Sequence, residues 1–224
     1  PTRRSSDLKE NRKLGINDKM RLGGMTMDDV QEITVRYYND NAVDFVNQTQ
    51  QVDFAEIQQC FLQYIPDGGH ILDFGCGSGR DSHYFRSRGF RVTALDGAEN
   101  VASLAEDFIR QKVVRQSFTD FAEIDVYDGV WACASLLHLP WQTLKQVVRN
   151  LAAGLHNEGI FYASFKYGDF SGMRHGRFFT DLTEERWHLL TEGINWDTLN
   201  LWVTGDVREG RSNEQWLNIL CKKR

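Results

Sequence analysis

The stretch HILDFGCGSGRD, from His70 to Asp81, places a short apolar run directly before glycines at three alternate positions, Gly75, Gly77 and Gly79. In parallel α/β sheets, the turn between the first strand and its helix is a usual place for a nucleotide. Glycine suits such a turn because it adopts positive φ freely and lets the backbone approach a ligand closely. The stretch therefore predicts an α/β protein that binds a nucleotide at this turn.

The rest of the chain alternates between short apolar runs and stretches with helical periodicity. This alternation predicts a doubly wound, mostly parallel sheet with helices on both faces and right-handed crossovers. The C-terminal runs TLNLWVTGDV and EQWLNILCKK, joined by REGRSN, predict a hairpin that makes one edge antiparallel. The predicted strands are HILDF, RVTALD, KVVRQ, YDGVWACAS and IFYASFK, the predicted helices are 28–50, 54–64, 81–88, 98–109, 141–155 and 183–192, and a glycine-rich loop covers 167–181.

Two phosphate-binding motifs do not fit the glycine turn. A P-loop needs a lysine after its last glycine, and Arg80 follows Gly79 instead. The dinucleotide pattern GxGxxG needs its third glycine one place later than Gly79. An acid, Asp73, lies two residues before Gly75. A carboxylate that points into the pocket disfavours a pyrophosphate and favours a cationic ligand.

A second acid stands where a ribose is bound in such sheets. Asp96 ends the second predicted strand, 21 residues after Gly75, and this position suits a carboxylate that accepts both ribose hydroxyls. The alternative role for Asp96 is the N-cap of the helix that follows. A nucleoside that has a ribose and a positive charge but no phosphate is S-adenosylmethionine.

From about Tyr38 onward, the chain resembles the class I S-adenosylmethionine-dependent methyltransferases. The blocks that carry the resemblance are ILDFGCGSGRD, VTALDGA, YDGVWACASLLHLP, GLHNEGIFYASFKYG and DVREGRSNEQWLNILCKK, in that order. The resemblance implies a Rossmann-like sheet of seven strands, mostly parallel, with an antiparallel C-terminal strand. It also implies methyl transfer from S-adenosylmethionine, and we expect a small molecule as the acceptor.

The resemblance also implies roles for single residues. Tyr38, joined by Thr49, would cover the carboxylate of the cofactor. The adenine ring is expected at Ser117 and Phe118, although Phe118 fits core packing equally well, and the methionine part is expected over Ala132–Ser135. The full set of expected cofactor-binding residues is Tyr38, Asp73, Gly75, Cys76, Gly77, Gly79, Asp96, Gly97, Ser117, Phe118 and Ala134, and no metal ligand is expected.

Several charged side chains near the pocket have more than one possible role. Arg80 either pairs with the cofactor's carboxylate or solvates the start of its helix. His138 is the catalytic candidate, as a base or an orienting group, and it fits a packing or capping histidine as well. The loop 167–181 fits a lid over an anionic or polar acceptor, or a solvated surface loop. This region offers Lys166, Tyr167, Arg174, His175, Arg177 and Phe178; core positions are expected for Trp131, Trp141, Trp187, Trp196 and Trp202, and an ion-paired turn for Asp206, Arg208 and Arg211.

Composition limits the class of partner. The formal net charge of −5 argues against a nucleic-acid binder, which needs a basic surface. No apolar run is long enough to cross a membrane. The four cysteines lack the spacing of a metal site and fit free thiols in a reducing compartment. We therefore expect a cytoplasmic protein that acts as a monomer or homodimer.

The first 24 residues differ in character from the rest, with seven Lys or Arg against three acids and no amphipathic period. The opening PTRRSSDL resembles a translated sequencing adapter. We expect residues 1–24 to be a disordered or non-native extension, with Met20, Met25 or Met27 as the native start and a methyltransferase domain over 25–224. The alternative is a basic arm that binds an acidic partner.

Three other functions stay open at this level. The same fold could act on protein or RNA, although the net charge disfavours RNA and strand four ends in ACAS rather than an NPPY-type motif. Methyltransferases of the tellurite and oxyanion-resistance branch share much of this pattern. A non-catalytic sensor or partner subunit that binds S-adenosylmethionine is the third alternative.

Overall fold

The structure is a computed structural model and describes residues 26–208, 210–211 and 213–224. The extension expected at residues 1–24 lies outside the described residues, so that expectation stays a prediction.

The strands of the described residues are β1 (His70–Phe74), β2 (Arg91–Asp96), β3 (Val113–Arg115), β4 (Tyr127–Ala132), β5 (Leu155–Lys166), β6 (Ser171–Arg174), β7 (Arg177–Thr180), β8 (Trp196–Gly205) and β9 (Gln215–Lys223). Seven of them form the central sheet, in the order β3-β2-β1-β4-β5-β9-β8. Strands β1 to β5 pair in parallel, whereas β9 is antiparallel to both β5 and β8. The expected doubly wound sheet with an antiparallel C-terminal strand is therefore confirmed.

The helices lie close to the predicted spans, with one exception. The single helix expected over 28–50 is two helices, which meet at Asn41. The backbone N–H and the side-chain amide of Asn41 both donate to the carbonyl of Tyr37, so the chain can turn there without leaving that carbonyl unpaired. The helices are α1 (Met27–Asp40), α2 (Ala42–Thr49), α3 (Ala55–Leu62), α4 (Arg80–Ser87), α5 (Glu99–Ile109), α6 (Trp141–Gly154) and α7 (Glu184–Leu190), with short 3₁₀ turns at Phe118–Asp120 and Leu136–His138.

Each face of the sheet carries its own aromatic core. On one face, Trp131 of β4 stacks on Tyr162 of β5 with ring centroids 4.0 Å apart. On the other, Trp187 of α7 stacks on Phe161 and on Trp196. Trp131 and Trp187 are fully buried, as expected, whereas Trp196 packs against the core only partly buried. These rings hold the ends of β4 and β5 in place beneath the site.

The segment 167–181 is more ordered than the glycine-rich loop predicted for it. Strands β6 and β7 pair antiparallel as a hairpin, with Met173 opposite Phe178 and Gly172 opposite Phe179. Phe178 and Phe179 are buried, so the hairpin is anchored by its apolar side chains. Each strand has only four residues, which is too short for a clear alternation in the sequence.

Candidate active site at the carboxyl ends of β1, β2 and β4

The order of strands reverses between β1 and β4, and a cavity of about 760 Å³ opens there. Crevices at such reversals are the usual ligand sites of open α/β sheets. Ten of the expected site residues line this cavity, which brings together segments that lie far apart in the chain. These ten are Tyr38, Gly75, Cys76, Gly77, Asp96, Gly97, Ser117, Phe118, Ala134 and His138.

The glycine turn is held by hydrogen bonds to the neighbouring strand. The N–H groups of Gly75 and Cys76 donate to the carbonyl of Leu95 at 2.8 and 2.9 Å. Gly75 has φ +80°, and a Cβ there would lie 2.4 Å from the Cβ of Ser135, in the loop after β4. Glycine is required at this position because any side chain would collide with that loop.

Asp96 lies in the cavity wall and ties the end of β2 to the glycine turn. Its Oδ2 accepts the N–H of Gly77 and its Oδ1 accepts the N–H of Ala98, both at 2.9 Å. Burial raises the pKa of Asp96, and these backbone donors oppose that shift. The N-cap of α5 is Ala98 rather than Asp96. Each carboxylate oxygen keeps a further lone pair with which to accept a ligand hydroxyl.

Two expected cofactor residues, Asp73 and Gly79, are not among the residues that line the cavity. The Asp73 carboxylate accepts the hydroxyl of Ser82 at 2.6 Å and is buried, so the expectation that it points into the pocket is wrong. Burial and the nearby Asp81 raise the pKa of Asp73. A Cβ on Gly79 would lie 2.8 Å from Ile109, so this glycine serves the packing of α4 on α5.

The two residues expected near adenine also line the cavity, and a Cβ on Gly75 would lie 2.9 Å from the ring of Phe118. Ser117 accepts a hydrogen bond from the side chain of Gln31, which sequence reasoning did not single out. Phe118 lines the cavity and also packs on Phe74, with ring centroids 4.3 Å apart. Both interpretations of Phe118, as a cavity wall and as part of the core, therefore apply.

Three polar side chains that line the cavity are joined to one another by hydrogen bonds. The Tyr38 hydroxyl lies 2.8 Å from Nε2 of His138, and Arg177 donates to the same hydroxyl at 3.1 Å. Nδ1 of His138 lies 2.7 Å from the carbonyl of Phe178, which can only accept. Nδ1 therefore carries the proton, and Nε2 accepts from Tyr38. We call Tyr38, His138 and Arg177 the roof cluster.

Burial lowers the pKa of His138 to about 3, so its ring is neutral near pH 7. Its lone pair on Nε2 is already taken by Tyr38. A histidine in this state holds its neighbours in place and is poorly suited to take a proton from a ligand.

Arg80 lies in the cavity wall but its charge is already paired. It donates to both oxygens of Asp81, at 2.8 and 2.9 Å, and its guanidinium lies 4.5 Å from the ring centroid of Phe54. Asp81 also accepts from Gln58 at 2.6 Å and from the indole of Trp131 at 2.9 Å. Sequence reasoning missed this buried network, since its members come from three separate elements.

The loop after β4 is held in an unusual conformation at the cavity wall. Ala134 has φ +52°, in the left-handed region that residues other than glycine seldom adopt. Its N–H donates to the hydroxyl of Ser164 at 2.9 Å, and Ser135 donates to the carbonyl of Phe74 at 2.6 Å. Strain of this kind is kept where surrounding contacts enforce it, often beside a ligand.

The far end of the cavity, over β5, β9 and β8, is lined by an ion-paired cluster. Lys166 pairs with Asp206 and Glu214, and Asp206 also accepts from Arg208 and from the indole of Trp216. Burial lowers the pKa of Lys166 to about 8. The expected ion-paired turn at Asp206 and Arg208 is thus present in the structure.

Two classes of feature are absent from the part of the chain that the structure describes. It contains no group of three or more His, Cys, Asp or Glu that could hold a metal ion. None of its helices has the length and apolar character needed to span a bilayer.

Part of the sequence matches a known protein family and a curated relative. Residues 71–159 match the family model described as a methyltransferase domain. The chain is 32% identical over 120 residues to YqeM of Bacillus subtilis (strain 168), a protein that bears a methyltransferase name. That match covers 47% of each protein, so the chain spans about half the length of this curated relative.

Solved structures share the fold over most of the chain. The 1,6-didemethyltoxoflavin-N1-methyltransferase of Burkholderia thailandensis, solved with 1,6-didemethyltoxoflavin and S-adenosylhomocysteine, has a TM-score of 0.72 at 20% identity and covers 89% of this chain and 91% of its own. Magnesium protoporphyrin IX methyltransferase of Synechocystis PCC 6803, with bound S-adenosylmethionine, gives 0.66 at 17% identity, with coverage of 88% and 98%. TehB of Haemophilus influenzae gives 0.65 at 15% identity, with coverage of 82% and 67%.

At these identities the solved structures show a shared fold and nothing finer. Residues 71–159 thus resemble a methyltransferase domain, and the chain shares its fold with the solved methyltransferases. The matched residues run from β1 into β5, so they contain the glycine turn and Asp96.

Proposed function

We propose that the protein binds S-adenosylmethionine and transfers its methyl group to a small-molecule acceptor. The observation that carries the proposal is Asp96, a carboxylate in the cavity wall that is fixed to the glycine turn through Gly77 and keeps lone pairs for two hydroxyls. The proposed domain spans 25–224, because β9 lies between β5 and β8 and so joins the C-terminal hairpin to the sheet.

The residues present fit a nucleoside without phosphates. The turn has no free cation to receive a phosphate, because Arg80 is neutralised by Asp81. Gly75 and Gly77 leave bare backbone in the wall, where a ligand can lie close. Asp96 adds a negative charge, which suits a positively charged ligand and repels a pyrophosphate.

We assign the cofactor to the glycine turn, with Cys76 and Gly97 in the same wall, the ribose to Asp96 and the adenine to Ser117 and Phe118. S-adenosylmethionine supplies an activated methyl group on a sulfonium. The protein's own task is then to align the acceptor and exclude water, which supplies most of the rate in such reactions. Fixed loops suit this task, and Ala134 is fixed through Ser164.

The cavity continues past the cofactor residues to the ends of β5 and β9, and this part is proposed for the acceptor. Residues of α1 and β7 also line the cavity, and a concave site of this size favours a small-molecule ligand over a protein or nucleic acid. The buried and hydrogen-bonded His138 is proposed as a positioning residue that holds Tyr38 over the site.

Calorimetry with S-adenosylhomocysteine tests the proposal. Asp96→Ala should weaken binding at least about tenfold, or about 1.4 kcal/mol, because two ribose hydroxyls lose their acceptor. Asp107→Ala is the matched control, since Asp107 is exposed on α5, the helix that follows Asp96. Equal affinity in both variants would contradict the ribose assignment, and no binding by the native protein would contradict the whole proposal.

Transfer of a labelled methyl group separates an enzyme from a sensor. S-adenosylmethionine labelled in the methyl group is incubated with a panel of small molecules, a protein mixture and RNA. Label in a small molecule supports the proposal. Label only in protein or RNA, or none at all despite binding, would overturn the small-molecule acceptor.

A further inference from the structure

Five cationic side chains line the cavity, and the described residues neutralise four of them. Arg80 pairs with Asp81, Lys166 and Arg208 pair with Asp206, and Arg211 lies 3.9 Å from Glu214. The fifth is Arg177, on β7, and no described carboxylate lies within ion-pair distance of it. This difference sets Arg177 apart from the other four.

Arg177 is held in place by neutral groups alone. Its Nη1 donates to Tyr38, and its guanidinium lies 4.3 Å from the ring centroid of Tyr37 and 5.3 Å from that of Phe179. Its Nε is buried and has no acceptor among the described residues. Aromatic faces stabilise a guanidinium but leave its N–H groups free for a ligand.

The neighbours of Arg177 cannot serve as its counter-ion. Burial raises the pKa of Tyr38, so its phenol stays neutral. The nearest acid along the chain, Asp181, is bound through both oxygens to Arg174 at 2.9 and 3.0 Å. Arg174, which the sequence offered as a free lid cation, is thereby used inside the hairpin.

The position of Arg177 favours the acceptor side of the cavity. The hairpin follows β5 and packs against α1 and against the turn Leu136–His138 that follows β4. The ribose carboxylate lies at β2, two strands away from β4, or roughly 10 Å along the sheet. A guanidinium on the β4–β5 side is therefore displaced from Asp96 towards the part of the cavity proposed for the acceptor.

We propose that Arg177 binds a carboxylate of the ligand in this cavity, and that the methyl acceptor brings it. The acceptor is then a small organic anion, recognised by the paired N–H groups of the guanidinium while aromatic rings line its other side. This inference rests on the proposed function, since it names the acceptor class of the same site. The second source of a carboxylate is the methionine part of the cofactor, and the experiment separates the two.

The test titrates benzoate into protein saturated with S-adenosylhomocysteine, with benzamide as the neutral analogue of the same shape. Arg177→Met should weaken benzoate binding at least about tenfold and weaken benzamide binding much less, because the neutral amide has no charge and a single acceptor oxygen. Arg177→Lys should lie between, since it keeps the charge and loses the planar pair of donors. Arg36→Met is the control, because Arg36 is an exposed cation on α1 that pairs with Glu32.

Circular dichroism and thermal unfolding establish whether each variant is folded. If Arg177→Met does not fold, the comparison is made with Arg177→Lys instead. Benzoate binding that is no stronger than benzamide binding, or that is equal in the native protein and Arg177→Met, would overturn the inference. Affinity for S-adenosylhomocysteine that falls in Arg177→Met, with affinity for 5′-methylthioadenosine unchanged, would assign the carboxylate to the cofactor and overturn the acceptor as its source. If the native protein binds no S-adenosylhomocysteine, the proposed function itself has failed.

Discussion

The two sides of the cavity are built in different ways. On the side proposed for the cofactor, the contacts are made by backbone groups. The N–H of Gly75 donates to the carbonyl of Leu95, and the N–H of Gly77 donates to Asp96, which lies only 19 residues away. In the roof cluster, side chains bond to one another, and these hydrogen bonds join residues 100 and 139 positions apart. The glycine turn can thus follow from local sequence, whereas the roof cluster depends on contacts between residues far apart in the chain.

The largest effect is expected on the cofactor side, from Gly75→Ala. The new Cβ would lie 2.4 Å from Ser135, so overpacking of about 1–3 kcal/mol adds to about 1–2 kcal/mol for positive φ. Gly89→Ala is the control, because Gly89 has φ +90° and nothing within 4 Å. Urea unfolding should show the larger loss for Gly75→Ala, and equal losses would mean that the close approach does not matter.

The roof cluster should make the free energy of unfolding fall as the pH is lowered. Burial lowers the pKa of His138 from 6.5 to about 3, so the unfolded chain binds this proton first. Its contribution is complete above pH 6.5 and is lost as the pH falls towards 3, with a slope of up to about 1.4 kcal/mol per pH unit. The nearby Arg174 and Arg177 act in the same direction.

His138→Gln should flatten the pH dependence of the free energy of unfolding across this range. His156→Gln is the matched control, since His156 is a half-exposed histidine that pairs with Asp125. Denaturant unfolding at several pH values measures both variants. Parallel curves for the native protein and His138→Gln would show that the ring is protonated in the folded state.

Tyr38→Phe should have the next largest effect. It keeps the ring but removes the hydroxyl that joins the buried His138 to Arg177, which leaves Nε2 of His138 and Nη1 of Arg177 without this partner. A cost of about 1–3 kcal/mol is expected in urea unfolding. Tyr64→Phe, at a ring that is 45% exposed, should change little; a loss as large as that of Tyr38→Phe would remove the case for a connected roof.

The smallest effect is expected for Ser164→Ala, which removes the acceptor of one backbone N–H, that of Ala134. The expected loss is about 1 kcal/mol, with faster hydrogen exchange at the Ala134 amide. Ser87→Ala, on the exposed end of α4, serves as the control. Unchanged exchange at Ala134 would show that Ser164 does not hold the left-handed loop.

Regular backbone patterns were predicted from the sequence, whereas a break in a pattern and the direction of a side chain were not. The order of strands and helices followed from local periodicity, and the fold class is confirmed. The break at Asn41 was missed because the apolar period continues across it. The side chain of Asp73 was placed wrongly, since its partner Ser82 lies on the helix after the turn and spacing alone does not give a side-chain direction.

Other expectations stay predictions. They include the cytoplasmic location, the monomer or homodimer, the absence of a nucleic-acid partner and the non-native character of residues 1–24. The roles of the site residues likewise await the binding measurements described above.

The sequence by itself determined the sheet, the glycine turn and the acid at Asp96, because apolar periodicity and glycine placement act over a few residues. Only the tertiary structure decided which charges stay available in the cavity. It paired Arg80 with Asp81 and Arg174 with Asp181, and it left Arg177 among aromatic rings. The physical reason is that ion pairing depends on distances in space, and these are set by the packing of elements far apart in the chain.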